Sequence, residues 1–289
     1  MPVWTTDDGA QTTDHGRQRM HHRPLIVVTN DDGIDSPGLY AAVRAVWGLG
    51  DVLVAAPTRQ WSGASRCFAR ETTGVIRPRA LQVSGESVPA FAVDGSPAQV
   101  VLHALLELAP RPADLLVVGI NYGENPGADV TCSGTVGAAL QAATCGVPAL
   151  AVSRQAPKEV HLNLSDDVDF TAAAHFTRFF ARRMLGVALP FDVDVLKVDV
   201  PDTATPQTPW RLTRQSRRTY FRPVPPRRSD LSQPGRMDYE AAWDVRDLEL
   251  DSDIYALVVD RVVAVTPLSL DLTSRADPGE IIRVLKRET

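Results

Sequence analysis

Apolar runs that resemble buried strands alternate with segments of helical periodicity over the first two thirds of the chain. The strand-like runs are 25–29, 52–55, 115–119, 148–152 and 193–200, and the helix-like segments are 38–48, 97–108, 135–145 and 168–185. Near-continuous apolar strands are typical of a parallel sheet that is covered on both faces. Because strands and helices alternate at crossover spacing, the pattern predicts an α/β fold with a doubly wound, three-layer sheet.

The last third of the chain has a different pattern. Prolines and arginines are interspersed between residues 201 and 228, and two strand patterns follow at 255–259 and 262–265. This segment is predicted to form an extended arm instead of another crossover unit. At the other end, residues 1–22 are polar and lack an apolar core, so we predict a disordered extension there.

Composition excludes several classes of partner. The chain has 289 residues and a net charge of -5, so it lacks the basic character that binding to duplex nucleic acid normally requires. No segment approaches the roughly 18 uninterrupted apolar residues of a membrane span, so no membrane partner is expected. Cys67, Cys132 and Cys145 are odd in number and show no paired spacing. We therefore expect no disulfide framework and a cytoplasmic location.

Two adjacent carboxylates follow the first strand, in the sequence Asn30-Asp31-Asp32-Gly33. The chain turns at a strand end, and Gly33 permits conformations that other residues avoid, so both acids can converge on one cation. Carboxylate oxygens suit Mg²⁺, Mn²⁺ or Ca²⁺ better than zinc. The alternative interpretation is a polar turn in which Asp35 caps the next helix.

Three further polar loops follow predicted strands, at 59–65, 119–125 and 131–139. In the second, the Asn121 amide is a candidate for completing an oxygen shell, although an ordinary Asn- and Gly-rich loop is an equal alternative. The third is a hydroxyl- and glycine-rich helix start, where free N–H groups favour an anion; close packing through small residues is its alternative. Ligands of a doubly wound sheet bind at the carboxyl ends of strands. The loops together predict a dication beside a phosphate, which suits metal-assisted phosphoryl transfer from a small phosphorylated substrate to water.

Other phosphoryl-transfer classes are not supported. The chain has no P-loop motif, no dinucleotide-binding Gly-x-Gly-x-x-Gly and no cysteine followed six residues later by arginine. His103, His161 and His175 lie outside the four loops, which argues against a phosphohistidine mechanism. Asp31 and Asp32 are adjacent, whereas haloacid-dehalogenase phosphatases, which use a covalent aspartate, carry Asp-x-Asp.

These motifs, in this order, resemble the SurE survival-protein family of metal-dependent nucleotidases, which are acid phosphatase-like. The matching segments are Val27–Gly38, Ala56–Gln60, Ser62–Ser65, Val93–Ala98, Gly119–Asn125 and Ser133–Ala139, with looser matches at Leu196–Pro201 and Val265–Leu268. The resemblance implies a Rossmann-like catalytic domain at 23–200 and an oligomerisation arm and tail at 201–289. It also implies a homodimer or homotetramer in which C-terminal strands are exchanged.

The resemblance implies two groups of site residues. The metal ligands are Asp31, Asp32, Ser62 and Asn121, and the phosphate-binding residues are Ser133, Gly134 and Thr135, to which we add Asn30. Asp31 and Asp32 are the predicted catalytic residues. The expected cofactor is one Mg²⁺ or Mn²⁺ ion per subunit, which Ca²⁺ can replace in a crystal.

The activity that the resemblance implies is hydrolysis of nucleoside 5′- or 3′-monophosphates. Three residues depart from the family pattern near the expected leaving-group pocket: Cys132 stands where a tyrosine is usual, and Trp61 and Phe68 are large for their places. A phosphatase for a specialised non-nucleotide metabolite is therefore the alternative. A third interpretation is an inactive binding or regulatory homologue.

Overall fold

A computed structural model describes residues 23–286, and a nine-stranded sheet forms its centre. The strands are β1 (Leu25–Thr29), β2 (Asp51–Pro57), β3 (Ile76–Val83), β4 (Glu86–Val93), β5 (Leu115–Tyr122), β6 (Ala149–Arg154), β7 (Val195–Val200), β8 (Trp210–Leu212), β9 (Phe221–Val224), β10 (Asp238–Ala241) and β11 (Val263–Leu268). The helices are α1 (Pro37–Val46), α2 (Pro97–His103), α3 (Gly134–Thr144), α4 (Thr171–Met184), α5 (Asp253–Val258) and α6 (Pro278–Leu285). The predicted disordered extension at 1–22 lies outside the described residues.

The strand order in the sheet is β3-β4-β2-β1-β5-β6-β7-β11-β8. The strands from β4 to β7 are parallel, whereas β3 and β11 run antiparallel to their neighbours β4 and β7. Alternate residues of β1 face opposite layers, since Ile26 packs with Leu39 of α1 and Phe176 of α4, whereas Val27 packs with α2 and α3. Both faces are thus covered by helices, which confirms the predicted Rossmann-like, doubly wound α/β fold. The order of the sheet reverses between β1 and β5, where such folds bind ligands.

The five strands predicted before residue 200 are confirmed, with small shifts at their ends. One strand prediction was wrong: residues 255–259 belong largely to the helix α5. Ser252 begins this helix, because its hydroxyl accepts the N–H of Tyr255. A short apolar run does not distinguish a strand from a buried helix, and the polar cap decides between them.

The segment after residue 200 contributes to two sheets. β8 and β11 extend the main sheet, while β9 and β10 form a separate antiparallel hairpin. The division into domains at residue 200 stays a prediction, although β11 belongs to the main sheet. Within residues 23–286, no helix is long and apolar enough to cross a membrane.

A buried ion-pair cluster joins β7, α5 and the loop after β5. The Lys197 ammonium contacts Asp199 and, at 3.1 Å, Asp253, and all three side chains are fully buried. Asp199 also accepts the N–H of Asn125 at 2.8 Å, and Asp253 accepts that of Gly127 at 3.0 Å. Burial pulls the pKa of Lys197 down, but the charges of the two aspartates outweigh it and hold the pKa above its ordinary value. The cluster therefore fixes the loop that follows Asn121.

Replacing Lys197 by methionine is expected to lower the free energy of unfolding by about 3–5 kcal/mol, because it leaves two buried carboxylates without their cation. Urea denaturation measures this loss. Lys158→Met is the matched control, since Lys158 pairs with Asp238 at the surface and its loss is expected to be much smaller. Similar losses in the two variants would contradict the role assigned to the buried cluster.

Candidate metal centre

The two adjacent carboxylates lie at the carboxyl end of β1, beside the point where the strand order reverses. Asp31 is 4 % exposed and Asp32 is 3 % exposed. The turn that carries them is closed by Asn30, whose side chain accepts the N–H of Gly33 and donates to its carbonyl, both at 3.1 Å. Gly33 has a φ of +103°, which favours glycine. The local sequence thus buries both acids at the carboxyl end of this central strand.

Asp31 faces the first turn of α3. The hydroxyl of Thr135 donates to Asp31 Oδ1 at 2.5 Å. A Cβ on Gly134 would lie 2.6 Å from Asp31 Oδ2, so only glycine leaves room for the carboxylate at this place. Ser133 caps the helix by accepting the N–H of Val136 at 3.0 Å. The predicted phosphate-binding residues therefore lie next to Asp31, and the Thr135 hydroxyl is already engaged with that carboxylate.

Asp32 lies against β5 and the loop after β2. Its Oδ2 accepts the N–H of Tyr122 at 3.3 Å, and its Oδ1 accepts the side-chain amide of Gln60 at 3.0 Å. Asn121 is 9 % exposed, and its Nδ2 donates to the carbonyl of Gly123 at 2.7 Å. This hydrogen bond leaves the Asn121 Oδ1 as the atom suited to a cation.

Ser62 lies on the surface of the same end of the sheet. It is exposed, and the loop that carries it is tied to the main chain at Asp31, because the Trp61 N–H donates to the Asp31 main-chain carbonyl at 2.8 Å. The loop also meets α3, since the Ser65 N–H donates to the Cys132 carbonyl at 3.0 Å. The four loops predicted from sequence are therefore neighbours in the fold, and the role of each residue as a ligand stays a prediction.

The electrostatics of the two carboxylates favour a cation between or beside them. Among the described residues, neither Asp31 nor Asp32 forms an ion pair with lysine, arginine or histidine. Burial raises the pKa of Asp31 to about 6 against the opposing hydrogen bonds from Thr135. Burial and the charge of Asp31 raise the pKa of Asp32 to about 8. Two buried anions without a counter-charge are costly, so the donor set of oxygens fits a hard divalent cation.

The raised pKa values predict how the stability of metal-free protein depends on pH. A carboxyl whose pKa rises on folding stabilises the folded state below its unfolded pKa, and this stabilisation is lost as the pH rises through the folded pKa. The free energy of unfolding is therefore expected to fall by several kcal/mol between pH about 4 and pH about 8. Urea denaturation in the presence of EDTA across this range measures the fall.

The control for this prediction is Asp32→Asn, which removes one titrating group without changing its shape. Glu124 contributes in the same direction, because burial raises its pKa to about 7. The pH dependence of Asp32→Asn should therefore be shallower than that of the wild type but not flat. Identical pH profiles for the two proteins would show that Asp32 does not titrate with a raised pKa.

Two residues near the carboxylates had no role in the sequence analysis. Gln60 was noted only as a polar loop residue, and His161 was set aside because it lies outside the four loops. In the structure the Gln60 amide donates both to Asp32 and, at 2.7 Å, to the main-chain carbonyl of His161. The contact joins residues that are 101 positions apart, and no local sequence signal indicates it.

Comparison with known proteins places the chain in a family. The model of the family "Survival protein SurE" matches residues 26–222. The chain belongs to the SurE survival-protein family. This match spans all four loops of the candidate centre and reaches the start of β9.

Similar family members extend the match beyond the family model. The "5′-nucleotidase SurE" of Thermococcus kodakarensis is 39% identical over 261 residues, which cover 90% of this chain and 98% of that protein. The protein with the same name from Methanosarcina mazei is 37% identical over 270 residues, covering 91% and 98%. The crystal structure of the SurE protein from Aquifex aeolicus matches with a TM-score of 0.69 and 28% identity, covering 91% of this chain and 98% of that chain. The family resemblance inferred from the motifs is thus confirmed.

Proposed function

We propose that the protein is a divalent-metal-dependent phosphomonoesterase that hydrolyses nucleoside 5′- or 3′-monophosphates. The observation that carries the proposal is the pair of buried carboxylates, Asp31 and Asp32, without a cationic partner among the described residues, at the strand-order reversal of the sheet. The names of the family members from Thermococcus kodakarensis and Methanosarcina mazei, both "5′-nucleotidase SurE", support the substrate class.

The cation in this proposal is one Mg²⁺ or Mn²⁺ ion per subunit. Asp31, Asp32, Ser62 and Asn121 are the residues that would hold it. When bound, such an ion supplies Lewis-acid polarisation of a phosphoryl oxygen and favours attack by water. The set contains two carboxylates, an amide and a hydroxyl, and these oxygen donors suit Mg²⁺ and Mn²⁺ better than softer metals.

The residues of the chain have separate tasks in this mechanism. Asp31 and Asp32 supply negative charge in a buried place, where it attracts the cation most strongly. The start of α3, at Ser133, Gly134 and Thr135, supplies N–H groups and the positive end of the helix dipole near the phosphoryl group. Such fixed dipoles stabilise the charge that develops on the phosphoryl oxygens in the transition state. Asn30 keeps the turn closed and so positions the two carboxylates.

The substrate test is kcat/KM for a panel of phosphomonoesters in the presence of Mn²⁺. The panel contains nucleoside 5′- and 3′-monophosphates, sugar phosphates, cyclitol phosphates and p-nitrophenyl phosphate, since this ratio reports differential transition-state binding. Nucleoside monophosphates are expected to exceed p-nitrophenyl phosphate clearly. Turnover of none of the esters would instead support an inactive binding or regulatory homologue.

A non-nucleotide metabolite phosphate is the second candidate substrate, and the covered Trp61 ring and the small Cys132 side chain support it. The Arg59 guanidinium lies 4.6 Å from the centre of the Trp61 ring, so one face of this ring is already covered. Cys132 is exposed and offers no aromatic surface, whereas Phe68 is 53% exposed. Stacking of a base on an aromatic ring contributes about 1–3 kcal/mol in single-strand binding. One non-nucleotide ester well above all nucleotides in the panel would establish this alternative.

We also propose that the chain forms a homodimer or homotetramer through exchange of C-terminal elements, including strands. The helix α6 supports this, since its apolar residues Ile281, Ile282, Val284 and Leu285 are 42%, 49%, 64% and 78% exposed. An amphipathic helix with an uncovered apolar face is expected to pack on another copy of the chain.

The assembly is tested by replacing Ile281 and Leu285, which lie one turn apart on the same face, with glutamate. Light scattering at micromolar concentration should give an oligomer for the wild type and a smaller species for the double variant. Arg283→Glu, on another face of the same helix, is the control and should leave the assembly unchanged. A monomeric wild type would contradict the proposal.

A further inference from the structure

Gln60 connects a carboxylate of the candidate metal centre with the segment between β6 and α4. Its Nε2 lies 3.0 Å from Asp32 Oδ1 and 2.7 Å from the main-chain carbonyl oxygen of His161. The main-chain carbonyl of His161 and the ionised carboxylate of Asp32 both accept hydrogen bonds only, so the two N–H groups of the amide satisfy them and the orientation of the amide follows. Gln60 therefore restrains the Asp32 carboxylate through a hydrogen bond to its Oδ1.

His161 is itself held by the β9–β10 hairpin. His161 is 8% exposed, and its Nε2 lies 3.0 Å from the carbonyl oxygen of Ala156, which can only accept. Nε2 therefore carries the proton in the neutral ring, and Nδ1 accepts the hydroxyl of Tyr239 at 3.0 Å. The ring also lies parallel to Tyr239, with centroids 6.1 Å apart, and edge-on to Phe221 at 5.9 Å.

The same ring packs on the loop that follows Asn121, after the end of β5. A Cβ on Gly123 would lie 2.8 Å from His161 Nε2, which shows how closely the ring approaches the main chain there. His161 thus contacts the loop after β5 with its ring and Gln60 with its carbonyl. A shift of the hairpin would move both contacts together.

We propose that Gln60 is a positioning residue for the cation: it holds the Asp32 carboxylate in the orientation that binds the metal, and it couples this carboxylate through His161 to the β9–β10 hairpin. The inference rests on the proposed metal-dependent function. Groups that hydrogen-bond to a ligating carboxylate orient it, and their loss typically weakens metal affinity or activity about 10–100-fold. Tyr239 contacts His161 and acts on Asp32 only through it. The effect of Tyr239 on metal affinity should therefore be smaller than that of Gln60 and should depend on Gln60.

The test is Mn²⁺ binding to EDTA-treated, dialysed protein, measured by calorimetry together with urea denaturation. Gln60→Leu keeps the approximate size of the side chain and removes both donors, and we expect its Mn²⁺ affinity to fall about 10–100-fold. Gln99→Leu is the matched control, because Gln99 also donates to a main-chain carbonyl, that of Ala69, but does not contact the centre. It should lose stability and keep the Mn²⁺ affinity of the wild type.

Tyr239→Phe tests the coupling, because it removes only the hydroxyl that His161 accepts. It should weaken Mn²⁺ binding in the wild-type background and have no further effect in Gln60→Leu, which is the non-additivity of a connected pair. Wild-type affinity in Gln60→Leu would overturn the positioning role, and either no effect of Tyr239→Phe or independent losses would overturn the coupling.

The outcomes separate this inference from the proposed function. If the wild type binds no Mn²⁺, the proposed function is contradicted. If the wild type binds Mn²⁺ and Gln60→Leu binds it equally tightly, only the positioning role of Gln60 is contradicted. Gln60→Asn, which keeps the amide and shortens its reach, replaces Gln60→Leu if the latter does not fold. The same loss of affinity is expected for it.

Discussion

Replacing Asp31 by asparagine is expected to lower kcat/KM for phosphomonoester hydrolysis by more than about 100-fold, which exceeds the loss typical for groups that only support a metal ligand. Asp31 is buried beside Asp32, so its charge attracts a cation strongly and has no ion-pair partner among residues 23–286. The same substitution removes one of two repelling carboxylates. The metal-free variant should therefore be at least as stable as the wild type near pH 8.

The control for Asp31→Asn is Asp35→Asn in the same turn. Asp35 is exposed and pairs with Arg79 at the surface, so its loss should leave kcat/KM close to the wild-type value. Ser62→Ala is expected to lose less activity than Asp31→Asn, since a hydroxyl is a neutral ligand. An Asp31→Asn protein with more than a tenth of the wild-type activity would contradict the assignment of Asp31.

A single added methyl group at Gly134 is expected to lower activity by more than about 10-fold. The Cβ of alanine would lie 2.6 Å from Asp31 Oδ2, so the carboxylate must move away from its place. Alanine is a better helix former than glycine, so helix propensity alone would not destabilise the variant. Steady-state kinetics and thermal denaturation distinguish the displaced carboxylate from a general loss of folding.

The double variant Gly134→Ala with Asp31→Asn provides the control. If Gly134→Ala acts through Asp31, the double variant should be no less active than Asp31→Asn alone, because contacting residues are not additive. Full activity in Gly134→Ala, or a further large loss in the double variant, would contradict the close contact between the two residues.

The central part of the fold could be predicted because each of its strands is buried on both faces. β1, β5 and β6 consist almost entirely of apolar residues, and this pattern predicts parallel strands between helices. The β3–β4 hairpin was missed, because β3 is an edge strand with exposed residues and contains Pro78. Ser84 and Gly85, both at positive φ, form its two-residue turn and were the available signal.

The candidate centre was predictable to the extent that its residues follow strands. Asp31, Asp32 and Asn121 come after β1 or near the end of β5, and the parallel sheet brings such ends together. The contact of Gln60 with Asp32 could not be predicted, because it depends on the course of a loop without regular structure. The contact of Gln60 with His161 depends in addition on the path of the chain between β6 and α4.

The most direct test of the account is the activity of protein from which the metal has been removed. EDTA-treated, dialysed protein should not hydrolyse nucleoside 5′-monophosphates or p-nitrophenyl phosphate, and addition of Mn²⁺ or Mg²⁺ should restore hydrolysis in proportion to the occupancy of one site per subunit. Hydrolysis at the untreated rate after removal of the metal would contradict the proposed mechanism.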